Sequence, residues 1–171
     1  MKYPEEYERF AKPIKDCSYD DKNEKAIVDR PELIVCFDDV KKAYVKNNIK
    51  VSGFPCSVDG LFLDEKSDFI FVEFKSGTVD KNQFLKKIYD SSIILMDKQK
   101  KTVEWLREHV RLLLVHGDAD PNDESRRKLA RLGSQRASRP VSPYLSEPVV
   151  GFFLKDYEYL TPEQFISKYC D

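Results

Sequence analysis

Asp59, Glu73 and Lys75 are the residues of this chain whose types and spacing could do chemistry, within the stretch FPCSVDGLFLDEKSDFIFVEFKSG at 54–77. In a strand over DFIFVEFK, odd positions Phe69, Phe71, Glu73 and Lys75 share one face, and Ile70, Val72 and Phe74 share the other. A hairpin whose turn is centred on Lys66 sets 63 opposite 69, 61 opposite 71 and Asp59 opposite Glu73. Directly opposed side chains lie ~4.5 to 5.5 Å apart, and two full negative charges at ~5 Å repel by roughly 3 kcal/mol at an effective dielectric of about 20. Lys75 brings one positive charge against two negative ones. A divalent cation offsets both, and carboxylates, a backbone carbonyl and water are the hard oxygen ligands that suit Mg²⁺ or Mn²⁺. Without a cation, removing one of the two acids should relieve strain.

The elements that would position these residues follow from periodicity and punctuation. IKVSGF at 49–54, VDGLFL at 58–63 and DFIFVEFK at 68–75 are rich in β-branched and aromatic residues and read as strands. Both faces of 68–75 begin apolar, so that strand should be central and covered on two sides. A helix follows, opened by Asp80 with Gln83 at capping-box spacing and carrying Phe84, Ile88, Ser92 and Leu95 at helical intervals; Ser91 and Ser92 would let it approach a sheet closely. A further helix is expected over 103–108, and buried strands over VRLLLV at 110–115 and VVGFFL at 149–154. Thr161-Pro-Glu-Gln164 opens a final helix. Upstream, short helices are expected over 4–11 and from Asp38 or Asp39 to about 47, with 32–37 open between strand and helix. The first forty residues hold 11 acids against 7 bases and should cover the core loosely. Hairpin strands first and a strand, helix, strand path afterwards describe an α/β chain with a mixed sheet.

The motif resembles the PD-(D/E)XK nuclease superfamily, whose restriction-endonuclease-like fold is a mixed β-sheet flanked by helices: Asp59, then Glu73-Phe74-Lys75 on a hairpin, then a helix. VEFKSG followed by the helix from Asp80 also resembles small bacterial members of it. The resemblance covers about residues 50–115. It departs from the family name in having Val58 before Asp59, with the nearest proline at Pro55. It implies that Asp59, Glu73 and the Phe74 carbonyl hold Mg²⁺ or Mn²⁺, and that Lys75 positions or helps deprotonate an attacking water. It also implies an acid from an earlier helix, for which Glu24 and Glu32 are candidates, and a polar residue from the following helix, for which Gln83 and Lys87 are candidates. The implied activity is metal-dependent hydrolysis of phosphodiesters in nucleic acid, DNA ahead of RNA.

Each signal has a plainer account. Glu73 and Lys75 could be a surface ion pair with Asp59 a turn residue, Gln83 the capping partner of Asp80, Lys87 a solvated helix lysine and His116 a structural strand-end residue. Residues 125–146 carry Arg126, Arg127, Lys128, Arg131, Arg136 and Arg139 and no acid, which reads either as a mobile arm contacting phosphates or as a solvated loop. Phe152, Phe153, Tyr157 and Tyr159 read as packing residues.

Composition bounds the remainder. The 171 residues carry 29 bases and 30 acids, which excludes a uniformly basic nucleic-acid binder, and 41% apolar content supports a packed interior. A single domain over 1–171 is expected, with its core at about 38–116, a C-terminal strand and helix in 149–169 and a mobile charged segment at 117–146. The apolar runs fall far short of the ~20 residues that span a bilayer, and MKYPEEYERF lacks the basic-then-apolar form of a secretory signal, so the expectation is a cytoplasmic protein with no membrane association. Cys17, Cys36, Cys56 and Cys170 form no metal-binding motif and read as reduced, mostly buried small hydrophobes. Cutting both strands of a duplex commonly needs two sites, so a homodimer, or a place as subunit of a larger complex, is also an expectation.

Overall fold

The computed structural model describes residues 1–48, 54–117, 149 and 152–170. It is a mixed α/β structure whose six-stranded mixed sheet has the order Ala11–Pro13, Leu33–Cys36, Gly60–Leu63, Phe69–Lys75, Val110–His116, Asp156–Leu160, with helices on both faces. A 3₁₀ turn over Glu5–Phe10 leads into β1 (Ala11–Pro13), the single-turn helix α1 (Ile14–Cys17) and a separate two-stranded hairpin, β2 (Tyr19–Asp20) and β3 (Lys25–Ala26). β4 (Leu33–Cys36) then pairs with β1 and runs directly into α2 (Phe37–Asn48). The first forty residues thus supply two strands of the sheet and the buried Tyr7, Phe10 and Ile14, rather than a loose cover.

The central hairpin has the register expected from alternation: β5 (Gly60–Leu63) and β6 (Phe69–Lys75) are antiparallel, with Leu61 opposite Phe71 and Leu63 opposite Phe69. Asp64 closes the turn by accepting the N–H groups of Lys66 and Asp68 at 2.8 and 2.9 Å. The long helix α3 (Lys81–Gln99) crosses over with α4 (Val103–His109), so β7 (Val110–His116) lies parallel to β6 through seven residue pairs. Asp80 is the N-cap of α3, accepting from Asn82 and Gln83 N–H. Ser91 and Ser92 are fully buried on the sheet-facing side of α3, where small side chains permit close approach.

The C-terminal strand differs from expectation. Val149, Phe152, Phe153 and Leu154 form a turn, in which Phe153 and Leu154 N–H bond the Val149 carbonyl at 3.1 and 3.0 Å. The strand comes later, as β8 (Asp156–Leu160) parallel to β7. Val149 and Leu154 reach the core from that turn, so their apolar character reports burial rather than extended backbone. Phe152, expected to pack, is 63% exposed, beneath the Arg107 guanidinium. The final helix α5 (Pro162–Tyr169) has the expected capping box at Thr161 and Gln164. Of the strand expected at 49–54, only Phe54 lies within the described residues, and it is not extended into the sheet.

Both faces of the sheet are packed. Val35, Leu61, Phe71, Leu112 and Leu114 meet α2, α3 and α4, while Ile34, Phe62, Ile70, Val72, Phe74, Leu113 and Val115 meet Ile14 of α1 and Phe165 of α5. Among the described residues no helix is long and apolar enough to cross a membrane. Gly60 of β5 lies close against a side chain of β4: a Cβ there would lie 2.6 Å from Cδ1 of the fully buried Ile34. Gly60→Ala is therefore expected to lose roughly 1–3 kcal/mol in urea unfolding, the usual cost of overpacking a closed core.

Candidate active site

Asp59 stands one residue before β5, and its backbone is held from two sides. Its N–H donates to the Val72 carbonyl at 3.0 Å and its own carbonyl accepts the Phe37 N–H, at the start of α2, at 3.1 Å. Oδ2 accepts the Phe74 N–H at 2.7 Å, so the side chain takes over the ladder where main-chain pairing stops. The segment leading to Asp59 is sewn along α3: Cys56 N–H donates to Asp90 at 2.7 Å and Val58 N–H to Ser91 Oγ at 2.9 Å. These bonds set the rotation of α3 that turns Lys87 toward the end of β6.

Glu73 is fully buried, on the same face as Phe71, and the surface-pair account of it fails on that burial. Its Oε1 lies 3.1 Å from Lys75 Nζ and 2.7 Å from Lys87 Nζ, while Lys87 also reaches Asp59 Oδ1 at 3.1 Å. Glu73 Oε2 is buried and has no hydrogen-bond partner. Burial, and then the Asp59 charge, push the Glu73 carboxyl up to about 7. Burial raises Asp59 as well, against the pull of Lys87 and the Phe74 N–H. Burial alone would lower the Lys87 ammonium, and Asp59 and Glu73 together outweigh it, so its pKa is raised.

Lys87 is therefore no solvated helix lysine. It is the second cation of a knot in which two ammonium groups balance two carboxylates, and the charge argument for a divalent cation loses its necessity. The expectation that removing one acid relieves strain in the metal-free protein is corrected for the same reason: Asp59→Asn would leave a positive excess. Among the described residues no group of three or more His, Cys, Asp or Glu side chains is placed to hold a metal ion.

Of the other expected residues, Phe74 contributes backbone. The Lys75 carbonyl accepts the Gly117 N–H on the β7 side at 2.7 Å, so by strand alternation the N–H and carbonyl of Phe74 point to the Asp59 side. Gln83 is not brought in: its N–H is capped by Asp80 and its Oε1 faces Cys56 Sγ at 4.0 Å. Glu24 lies in the exposed turn between β2 and β3, and Glu32 pairs with Arg30 at 3.0 Å; neither contacts Asp59 or Glu73. The acid that α2 does bring near is Asp38, which accepts from Ser57 Oγ and pairs with Lys41 at 2.6 Å. Burial works against its charge, but Lys41, Ser57 and Lys87 together hold its carboxyl below the usual value. Its position at the opening of α2, the helix that precedes the hairpin, was the available sequence signal. His116 is structural, with Nε2 2.6 Å from the Gly77 carbonyl and its ring stacked on Tyr159. Arg126, Arg127, Lys128, Arg131, Arg136 and Arg139 lie outside the described residues.

A cleft of about 420 Å³ opens beside the knot, with Asp59, Phe74 and Lys75 on one wall and residues 19–22 of the small hairpin on the other. Ser76 and Asn23 both bond Asp20, which ties the hairpin to the end of β6. The same two bonds hold the Asp20 carboxyl down, at about 2. Asp20, Asp21 and Asp59 line the cleft against Lys22 and Lys75, a balance that repels a phosphodiester unless a cation is added. Comparison of the chain with models of known protein families, with curated proteins and with solved structures finds no match.

Proposed function

We propose that this chain is a Mg²⁺- or Mn²⁺-dependent phosphodiesterase acting on nucleic acid, DNA ahead of RNA, on a restriction-endonuclease-like sheet. The observation that carries the reading is Glu73: a fully buried carboxylate with one oxygen unpartnered, beside Asp59 and Lys75, at the C-terminal end of a central strand. Open α/β sheets place their sites at that edge, and an orphaned buried carboxylate oxygen implies a missing partner. Asp59, Glu73 and the Phe74 carbonyl suit a hard divalent ion, with water completing its shell. Bound there, such an ion supplies Lewis-acid polarisation and acidifies a water. Lys75 lines the cleft while touching Glu73, so its ammonium can hold the attacking water and stabilise the hydroxide that water becomes when it gives up its proton. Lys87 holds the two acids together until a cation takes their charge. Asp38 replaces Glu24 and Glu32 as the upstream acid that orients the surrounding groups.

A second reading, a non-catalytic binding module on the same scaffold, is favoured by one observation: Lys75 and Lys87 already neutralise Asp59 and Glu73. One experiment separates the two. On the phosphodiesterase reading, Mn²⁺ at a hundredfold excess over its dissociation constant stabilises the folded chain by about 2.7 kcal/mol, seen as a raised melting temperature, and single- or double-stranded DNA or RNA is cut. Asp59→Asn loses both effects. A parent chain that shows neither a metal-dependent thermal shift nor cleavage belongs to the second reading.

A further inference from the structure

The small hairpin that walls the cleft opposite Asp59 and Lys75 carries an exposed aromatic ring and a lysine. Tyr19, in β2, is 54% exposed and lines the cleft. Its cross-strand partner is Ala26, too small to cover the ring. Lys22, in the turn, is exposed and lines the same cleft, and among the described residues no carboxylate pairs with its ammonium. The nearby Asp20 carboxylate is already engaged, accepting from Ser76, from Asn23 at 2.7 Å and from the Lys22 N–H at 2.9 Å. A single exposed ring is commonplace on a protein surface. This one shares a cleft with the candidate catalytic groups, on a hairpin fixed near its tip by Asp20 and Ser76 and at its base by Ser18, whose Oγ donates to the Val28 carbonyl and accepts the Val28 N–H, both at 3.1 Å.

We propose that Tyr19 is the stacking platform for an unpaired base and Lys22 the contact for the phosphate beside it, so that the substrate of the cleft is single-stranded nucleic acid. The inference rests on the phosphodiesterase reading only in taking nucleic acid as the ligand. In a duplex each base is covered above and below by its neighbours and engaged along its edge, so an aromatic side chain reaches a base face only where the base is unpaired. Aromatic faces beside cationic side chains hold single strands with little regard to sequence. The size of the cleft agrees. At about 420 Å³ it lies in the low part of the ~300–1,000 Å³ range of pockets that enclose one small molecule, which is room for a nucleotide rather than for a base pair with its two backbones.

Stacking also supplies affinity where charge cannot. Asp20, Asp21 and Asp59 offset Lys22 and Lys75 on the lining of the cleft, and the attraction between a base and an aromatic ring does not depend on that balance. The two hairpin residues therefore leave different signatures: losing the ring costs affinity at every salt concentration, whereas losing the lysine costs the part of it that salt screens.

The deciding measurement is the fluorescence anisotropy of a dye-labelled oligodeoxythymidylate titrated with the full-length chain in Ca²⁺, the strand being checked for integrity afterwards. The single strand should bind more tightly than the same strand annealed to oligodeoxyadenylate. Tyr19→Ala should weaken binding roughly 5- to 150-fold, the span lost per stacked base, with the salt slope unchanged, and Tyr19→Phe should keep the parent's affinity. Lys22→Ala should reduce the slope of log affinity against log salt by about 0.7. No binding of the single strand, a duplex bound as tightly by the parent, or a folded Tyr19→Ala chain that binds like the parent would overturn the proposal; the strand preference of the parent decides this even if a variant folds poorly. A chain that holds the single strand through Tyr19 yet cleaves nothing in Mg²⁺ or Mn²⁺ keeps this inference and removes the phosphodiesterase reading. A parent that cleaves duplex in preference to single strand overturns this inference and keeps that reading.

Discussion

Lys75→Ala is expected to cut Mg²⁺-dependent cleavage roughly 10²–10³-fold, the range lost when one positioned donor to a developing negative charge is removed, and to leave the Mn²⁺-induced rise in melting temperature in place. Lysine contributes no ligand, and Glu73 keeps Lys87 at 2.7 Å when Lys75 is gone. The loss should fall on kcat rather than KM, because Lys75 acts on the water and the substrate keeps its other contacts. Lys87→Met has the opposite profile. It removes the charge shared by Asp59 and Glu73, so the metal-free chain should melt lower and depend more steeply on Mn²⁺, while cleavage at saturating metal persists. Cleavage that survives Lys75→Ala but not Lys87→Met would move the water-activating role to Lys87.

The metal-free protein is expected to lose stability as pH rises from about 4.5 to about 7, because Glu73 is harder to ionise inside the fold than in the unfolded chain. A folded-state pKa above the unfolded value means that the native state holds the proton longer. The stabilising contribution is therefore complete below about 4.5 and lost as pH passes about 7. At about 1.4 kcal/mol per pKa unit the loss is roughly 3 kcal/mol, and Asp59, also raised, adds to it with the same sign. The lowered groups Asp38, Asp39 and Asp20 work in the opposite sense, but below pH ~4, so the windows separate. Urea unfolding in chelator, in buffers spanning the window, should show the decline in the parent and a shallower one in Glu73→Gln, where only Asp59 contributes. Equal slopes in the two would show that Glu73 ionises normally in the fold.

Much of the scaffold was legible because its signals are local. Two-residue alternation set the β5–β6 register, Asp64 marked the turn, and Asp80 and Thr161 marked helix starts through side chains that bond N–H groups two or three residues on. Local hydrophobicity misled at 149–154, where apolar residues pack from a turn. The strand proper, Asp156–Leu160, is an edge strand that buries only part of its length and so carries a weak signal.

The sequence by itself put Asp59, Glu73 and Lys75 at one end of a hairpin once its turn was centred on Lys66, because that register sets Leu61 opposite Phe71 on a buried face. Only the tertiary structure decided which charges complete that meeting. Lys87 against Gln83, and Asp38 against Glu24 and Glu32, depend on how a helix is rotated about its axis and which strand lies next to which. Those choices are made by long-range contacts such as Ser91 to the Val58 N–H and β1 to β4, and helical periodicity specifies the apolar face of a helix but not which polar residue on its border reaches a particular carboxylate.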